Sequence, residues 1–532
     1  MSNFFVTTPI KIKLGQDVHD VKSRVAKLVG IAEKDLLSLQ LKKQSVDARD
    51  KRDVHFVCSY VVECAKTSLR NATPYVEPAD LLLTPPKFFN CGSCIVVGAG
   101  PAGLFLARYL TRQGVKVTLF ERGSDVDARR EKVEQFHARG TFDKNCNVQF
   151  GLGGAGTFSD GKLTTGISSP LLHTVFQEFA RQGAPKSILT SALPHIGTDN
   201  LVRVVANMRD DIIRFGGEFR FDTFVSDLIV SGNKVVGVLA EQDGVELPYY
   251  ADCVALCCGH SARETFSALL ARGVEMQFKP FAVGLRVEHK REFINKAQYG
   301  ELFATHRDLD AASYKLTHNE GSRSCYSFCM CPGGVVVPAN SEEDSVVVNG
   351  MSNYARNAQN SNSALVVTVG EKDVLRYGYK DDVLAGMKFQ QVLEKRAFTL
   401  GGGNYCAPCQ NVTDFLRDTK STGLDITPSY LRGVKLADMR DLLPQDIVQV
   451  IKNALCNFNK KIKGFAECGV LTGVETRTSS PVKILRDENM QANLAGLFPV
   501  GEGAGHAGGI VSSAVDGLKA AQEIVKFLNA TI

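Results

Sequence analysis

No stretch of this 532-residue chain is an uninterrupted apolar run near the ~20 residues that a membrane-spanning helix needs, so no membrane anchor is expected. A charge excess of one sign is missing too. Lys and Arg total 62 against 57 Asp and Glu, a net +5, which is too little for a nucleic-acid coat. Low-complexity tracts and internal repeats are absent. With 44% hydrophobic and 22% charged residues, the composition excludes a disordered or fibrous protein. Met1–Gly15 carries two Lys, no Arg and no small-residue cleavage site behind an apolar core, so no signal or transit peptide is expected. The fifteen cysteines are odd in number, and Cys253, Cys257 and Cys258 stand in apolar runs, where a free thiol behaves as a small hydrophobe. Together these features point to a reducing, cytoplasmic setting rather than a disulfide scaffold. No His pair accompanies the cysteines, so no metal site is expected.

What is present is organised in blocks, and the length suggests roughly two to four domains. Residues 1–56 hold eleven basic and seven acidic residues, so most of the net charge lies there. Residues 9–65 read as a small α+β unit, with strands at Ile10–Leu14, Leu36–Leu41 and Val54–Val62 and a helix within Asp17–Gly30. A Pro-rich linker follows over 71–90. Farther on, Leu201–Phe215 and Pro444–Phe458 have helical spacing. Phe219–Tyr249 reads as short strands with a hairpin at Gly232-Asn233, Cys253–Cys257 as a buried strand, and Phe281–Val287 and Val335–Asn349 as β-rich.

The best-defined segment is Ile95–Glu121. A short apolar strand runs into Gly98-Ala99-Gly100-Pro101-Ala102-Gly103. A helix with Leu106 and Leu110 four apart follows, then a second strand that ends at Glu121. This is one βαβ unit. The glycines allow a sharp turn and a close approach of a pyrophosphate to the backbone, while the helix points its free N–H groups at that anion. Glu121 stands where a carboxylate accepts ribose hydroxyls and repels a 2′-phosphate, and the neighbouring Arg122 weakens that exclusion only slightly. A second glycine-rich stretch far downstream, Leu497 to Ile510, has the form strand, acid, glycine turn, helix start. Gly501, Glu502, Gly508, Gly509 and Ile510 there suit the far end of a longer dinucleotide, with Glu502 near the ribityl chain or phosphates and the helix start near the flavin ring. A simple NAD domain needs no such loop, so the expected cofactor is FAD. A third stretch, Gln149–Lys162, offers Gly153, Gly154 and Thr157 for the pyrophosphate or the isoalloxazine edge. A flexible surface loop is the alternative there.

The combination resembles FAD-dependent oxidoreductases of the glutathione-reductase-like superfamily. More narrowly it is similar to a largely uncharacterised family of FAD-dependent dehydrogenases. The resemblance spans nearly the whole chain, through Gly98–Gly103, Gln149–Lys162, Cys258–Arg263, Lys279–Gly284, Tyr326–Gly334, Glu475–Pro481 and Gly501–Gly517. It implies a Rossmann-like FAD/NAD(P)-binding fold with an inserted α+β domain, which together with the small N-terminal α+β unit read above makes an α/β architecture. The boundaries implied are 1–88, 89–270, 271–470 and 471–532, the second and fourth segments together forming the FAD domain. Cys257-Cys258-Gly259 departs from the Ala-Thr-Gly common in such families, but Gly259 is kept for close backbone approach to FAD. The resemblance also implies that the backbone around Phe224-Val225 passes the adenine.

Only one dinucleotide fingerprint is present. NAD(P)H would therefore bind transiently, or the electrons would come from a small-molecule substrate. His506 is the candidate for proton transfer, with packing of its turn as the alternative role. Arg477 is a candidate for an anionic substrate group or the FAD phosphates, against surface salt bridging. Arg286 and Glu288 share a strand face and suggest a structural ion pair. Cys329/Cys331 and Cys406/Cys409 have spacings that suit redox thiol pairs, with buried or incidental thiols as the alternative, whereas Cys91/Cys94 lies at the wrong end of its strand, away from the pyrophosphate turn. A flavin-dependent oxidoreductase is the leading expectation. A flavin-dependent RNA-binding or RNA-modifying protein, using the basic N-terminal unit, is the competing one.

Overall fold

The strand Ser93–Val97 is apolar on both faces. Cys94 and Val96 pack into one core, Ile95 and Val97 into another. Such a strand belongs in the middle of a parallel sheet covered on both sides, and it lies there. The computed structural model describes residues 3–83, 92–321, 323–380 and 382–531. In it a five-stranded sheet has the order Leu497–Pro499, Cys253–Leu256, Ser93–Val97, Lys116–Phe120, Glu218–Arg220, all parallel. The helix Pro101–Arg112 makes the first crossover. The last helix, Ile510–Thr531, packs beside it. A Cβ on Gly517 would lie 2.3 Å from the Ala102 carbonyl oxygen, so the two helices touch backbone to backbone. That contact brings the chain's distant glycine motifs together. The other sheet face carries an antiparallel three-stranded sheet, Phe224–Ser231, Lys234–Gln242 and Val245–Tyr250, with its first hairpin at Gly232-Asn233.

The chain leaves this domain along Met276–Phe278 and returns along Val482–Ile484, the two segments pairing antiparallel. Between them a seven-stranded sheet is built around Phe281–Lys290, Asn360–Val369 and Val470–Glu475. Helices Ala385–Leu400 and Gln445–Lys461 cover one face over an apolar core. Val470–Glu475 belongs to this sheet, so the return crossing comes after Glu475 rather than at 471 as the sequence suggested. The N-terminal unit is a five-stranded sheet with the helix Lys22–Val29. Its strand His55–Cys64 buries every second side chain, the period-2 signature of a sheet covered on one face. Among the described residues no helix is long and apolar enough to cross a membrane.

The two large domains are held by a buried ion cluster. Glu394, on the helix Ala385–Leu400, is fully buried. Arg263 grips it through two N–H donors at 2.8 and 2.9 Å, and Arg477 through two more at 3.2 and 2.9 Å. Thr476 donates a further bond at 2.7 Å. Burial pushes the Glu394 carboxyl up, but Arg263 and Arg477 outweigh it and hold the carboxyl well below the usual range. A carboxylate with a depressed folded pKa adds stability that is present above the ordinary glutamate value of about 4.3 and is lost as pH falls below it. Glu394→Gln, which strands two buried guanidinium groups, is expected to cost about 3–5 kcal/mol by urea denaturation at pH 7, and the cost should shrink toward pH 3. An unchanged denaturation midpoint at pH 7 would show that the cluster does not hold the domains.

Candidate functional site

The turn after the first strand can be made only by glycine. Gly98 has φ +103°, and a Cβ on it would lie 2.5 Å from the Cys257 carbonyl oxygen. A Cβ on Gly103 would lie 2.0 Å from the Gly98 oxygen. The backbone therefore runs tight against the sheet, and the helix starts at Pro101 with Gly100 as its N-cap. Along this turn lies a cavity of about 400 Å³, within the range of small-molecule sites.

At one end the cavity meets the second strand. Glu121 is buried and its carboxylate is pinned by backbone donors: Ala99 N–H at 2.8 Å on Oε2, and Gly123 and Gly151 N–H at 2.9 Å each on Oε1. A carboxylate offers about four lone-pair sites, so Oε2 keeps capacity for a further donor. Beside it the Arg122 guanidinium lies between two rings, 4.2 Å from the Phe150 centroid and 4.6 Å from that of Phe224. Val225 also lines this end.

The middle is lined by Gly98, Gly100, Pro101, Ala102 and Gly154. Here the third glycine stretch is wrapped around a buried arginine. Arg129 donates all its N–H groups to backbone carbonyls: Nε to Asn147 at 3.1 Å, Nη1 to Gly151 and Leu152 at 3.2 and 2.6 Å, and Nη2 to Val148 and Gly154 at 3.0 and 2.9 Å. Burial pushes its pKa down to about 10, with Glu121 opposing, so it stays charged at neutral pH. Gly153 N–H then bonds the Ala99 carbonyl at 2.8 Å, locking the loop to the glycine turn.

The far end is closed by Glu502, Gly508, Gly509 and Ile510 from one side and by Phe328, Cys329 and Asn349 of the inserted domain from the other. Gly259, Gly508 and Gly509 have nothing within 4 Å of where a Cβ would be. Their open faces and two helix starts, at Pro101 and Ile510, form a cradle suited to an extended anionic ligand. Burial pushes Glu502 up to about 7, with Lys279 opposing. His260 also lines the cavity and is pushed down to about 3 by burial and by Arg477, Arg263 and Lys279.

Several residues singled out in the sequence do not face the cavity. His506 is the main correction. It is not among the lining residues, and its Nε2 donates to the Ile484 carbonyl at 2.9 Å. Burial, then Arg486, lowers its pKa, which makes it a packed neutral imidazole. Ala99 spends its N–H on Glu121, and Gly103 is covered by Gly98. Gly153 is taken up in the loop lock, and Thr157 is buried with its hydroxyl on the Leu152 carbonyl. Gly501 donates its N–H to Asp516 at 2.8 Å. Arg477 does line the cavity, but its guanidinium is committed to Glu394 and Ser341. Arg286 pairs with Glu475 at 2.9 and 3.0 Å rather than with Glu288, which binds Ser429 and Asn360 instead. Cys406 bonds the Arg432 carbonyl and Cys409 is buried, neither at the cavity. Cys91 lies outside the described residues. His260, Phe328 and Lys162 fall within the motif segments Cys258–Arg263, Tyr326–Gly334 and Gln149–Lys162 but have no individual role assigned by the sequence, and Arg129 and Asn349 carry no local signature at all.

Comparison with known proteins gives matches to three families. The family "FAD-dependent protein, C-terminal domain-like" matches residues 280–478, an NAD(P)-binding Rossmann-like domain matches 96–152, and a domain of unknown function matches 7–63. A protein of Clostridium beijerinckii, itself described only as uncharacterized, is 41% identical over 531 residues, covering 97% of this chain and 98% of its own length. Among solved structures, a flavoprotein/dehydrogenase from Cytophaga hutchinsonii is similar at 11% identity and TM-score 0.38, over 82% of this chain and 79% of that one. CtdE in complex with FAD is similar at 12% identity and TM-score 0.33, over 82% and 85%.

Two outcomes are expected from this geometry. Arg129→Met, which orphans buried carbonyls, should cost about 3–5 kcal/mol, and Arg129→Lys should not restore it because an ammonium lacks the planar fork. Denaturant melts check both. For Glu502, a raised folded pKa means stability that is present below the ordinary glutamate value and is lost as pH rises through about 7. Glu502→Gln should therefore stabilise the flavin-free protein at pH 8 by on the order of 2–3 kcal/mol relative to its effect at pH 5, read as melting temperature against pH. A parallel pair of curves would refute the shift.

Proposed function

Because this chain belongs to the family of FAD-dependent proteins, with FAD as its cofactor, we propose that it is an oxidoreductase. It would hold FAD non-covalently along the cavity and pass hydride between the flavin N5 and a small organic substrate. One observation carries this reading: a single cavity runs from Glu121 and Val225, past the Gly98–Ala102 turn, to the Gly508–Ile510 helix start, the path an extended adenine–isoalloxazine molecule needs.

The residue roles follow from the donors and acceptors present. Glu121 Oε2 takes the adenosine ribose hydroxyls, and its charge excludes a 2′-phosphate. Arg122, close to Phe150 and Phe224 and bonded to Asn145 and Glu264, places a positive charge at the adenine end beside Val225. The helix start at Pro101 and the backbone of Gly100 and Gly154 face the pyrophosphate. Gly259 allows close backbone approach, and Glu502, poised near neutrality, can donate to or accept from a ribityl hydroxyl. When bound, FAD supplies the two-electron chemistry. The start of the helix Ile510–Thr531 presents its positive end to the flavin ring and favours negative charge there. The inserted domain excludes water from that end through Phe328. No second dinucleotide fingerprint accompanies the first, so a reduced nicotinamide would visit transiently or the substrate itself would be the electron donor. The RNA-directed alternative has only the charge of the N-terminal unit behind it, and no comparison adds to it.

Purified protein is expected to be yellow, with absorption near ~450 nm and the flavin released intact on denaturation. Glu121→Ala should weaken FAD binding about 10–100-fold by fluorescence titration. Colourless protein that takes up no added FAD would overturn the proposal.

A further inference from the structure

Cys329 interrupts the strand Arg323–Cys331. Its φ is +42°, and the pairing with Asn360–Val369 slips between Phe328 and Cys331. A bulge of this kind re-aims a side chain, and left-handed non-glycine residues collect at functional sites. Cys329 lines the cavity, and Cys331, two residues on, is fully buried behind it. The Cys331 thiol donates to the Cys329 carbonyl at 3.3 Å. From the glycine-rich loop, Lys162 brings its ammonium to 3.9 Å from the Cys331 sulfur. From the sheet, Arg286 donates to the Cys329 carbonyl at 3.2 Å. Two thiols, one facing the cavity and one buried at its back, are thus flanked by two fixed cations. Both cysteines are free in this structure.

We propose that Cys329 and Cys331 form a redox pair that exchanges two electrons with the FAD of this cavity. The proposal rests on the FAD reading above and adds a second electron store to it. A hydrogen bond from the Cys331 thiol lowers the Cys329 pKa well below the ordinary thiol value; burial opposes this, and Lys162 and Arg286 reinforce it. Cys331 is raised by its contact with Cys329 and by burial, with Lys162 opposing. Cys329 is thus shifted toward thiolate and Cys331 toward thiol, the arrangement of a reactive cysteine beside a resolving one. In the forward step the Cys331 S–H bond breaks and an S–S bond forms between Cys329 and Cys331. The two electrons released, with the Cys331 proton, go to oxidised FAD and leave its singly protonated reduced anion, so charge and hydrogen balance. In reverse, the reduced flavin reopens the disulfide. Cys94 and Cys253 offer no such chemistry, since they are packed in the core of the parallel sheet.

The test is an anaerobic reductive titration of the air-oxidised yellow holoprotein with dithionite. Wild type is expected to take up about four electrons per flavin, and Cys329→Ser and Cys331→Ser each about two. Mass spectrometry of alkylated peptides should show 329 and 331 blocked before reduction and alkylated after it. Wild type that takes up only about two electrons, or alkylates fully at both positions before reduction, overturns the pair while leaving FAD binding intact. Colourless protein removes both proposals. The peptide measurement needs only wild type, so a misfolded variant would not rescue the idea.

Discussion

Glu394 carries the junction on which the cavity depends. It comes from a helix of the inserted domain, Arg263 from the end of a parallel strand's crossover, and Arg477 from the segment returning out of the insertion. Three pieces far apart in the chain share one fully buried carboxylate. Removing a carboxylate from water is expensive, and the cost is offset here only because two bidentate guanidinium groups and a hydroxyl satisfy it together. The cluster therefore tolerates little sliding between the domains. Arg477 and Phe328 both line the cavity, so the position of the insertion decides the shape of the far wall.

The near wall uses the same device at smaller scale. Arg129 gathers carbonyls from a loop that, by composition, has every reason to be loose, and Glu121 gathers the N–H groups of the turn opposite. A cation serving carbonyls and an anion serving amides complement the polar backbone of a glycine-rich region, where side chains cannot. The result is a preformed slot whose walls need little ordering when a ligand enters, which lowers the entropic cost of binding. Glu121 illustrates the economy: the group read as a ligand contact is first a structural acceptor, with one oxygen left available.

Much of this was legible in the residues themselves. The Gly98–Gly103 turn, the hairpin at Gly232-Asn233 and the apolar strand at Cys253 stand where the sequence pattern puts them, because each is dictated by local backbone geometry or by a continuous apolar run. The helix read over Leu201–Phe215 is found at Thr198–Arg214. At two places a neighbour in sequence is not a neighbour in space. His506 follows a cavity residue by four positions, yet its ring turns to the Ile484 carbonyl. Arg286 and Glu288 share a strand face, but residues two apart on a strand are farther from each other than from the adjoining strand, and Glu475 on that strand takes the pair.

The sequence by itself determined the nucleotide-binding topology and the cofactor class, since glycine spacing, strand alternation and a terminal acid act over a few residues and survive without knowledge of the whole. Only the tertiary structure decided which titratable groups meet: Glu394 with two arginines, Arg129 with its five carbonyls, Cys329 with the cavity and Cys331 with Lys162. Those pairings arise from packing between segments distant along the chain, and no local pattern encodes a partner that arrives from another domain.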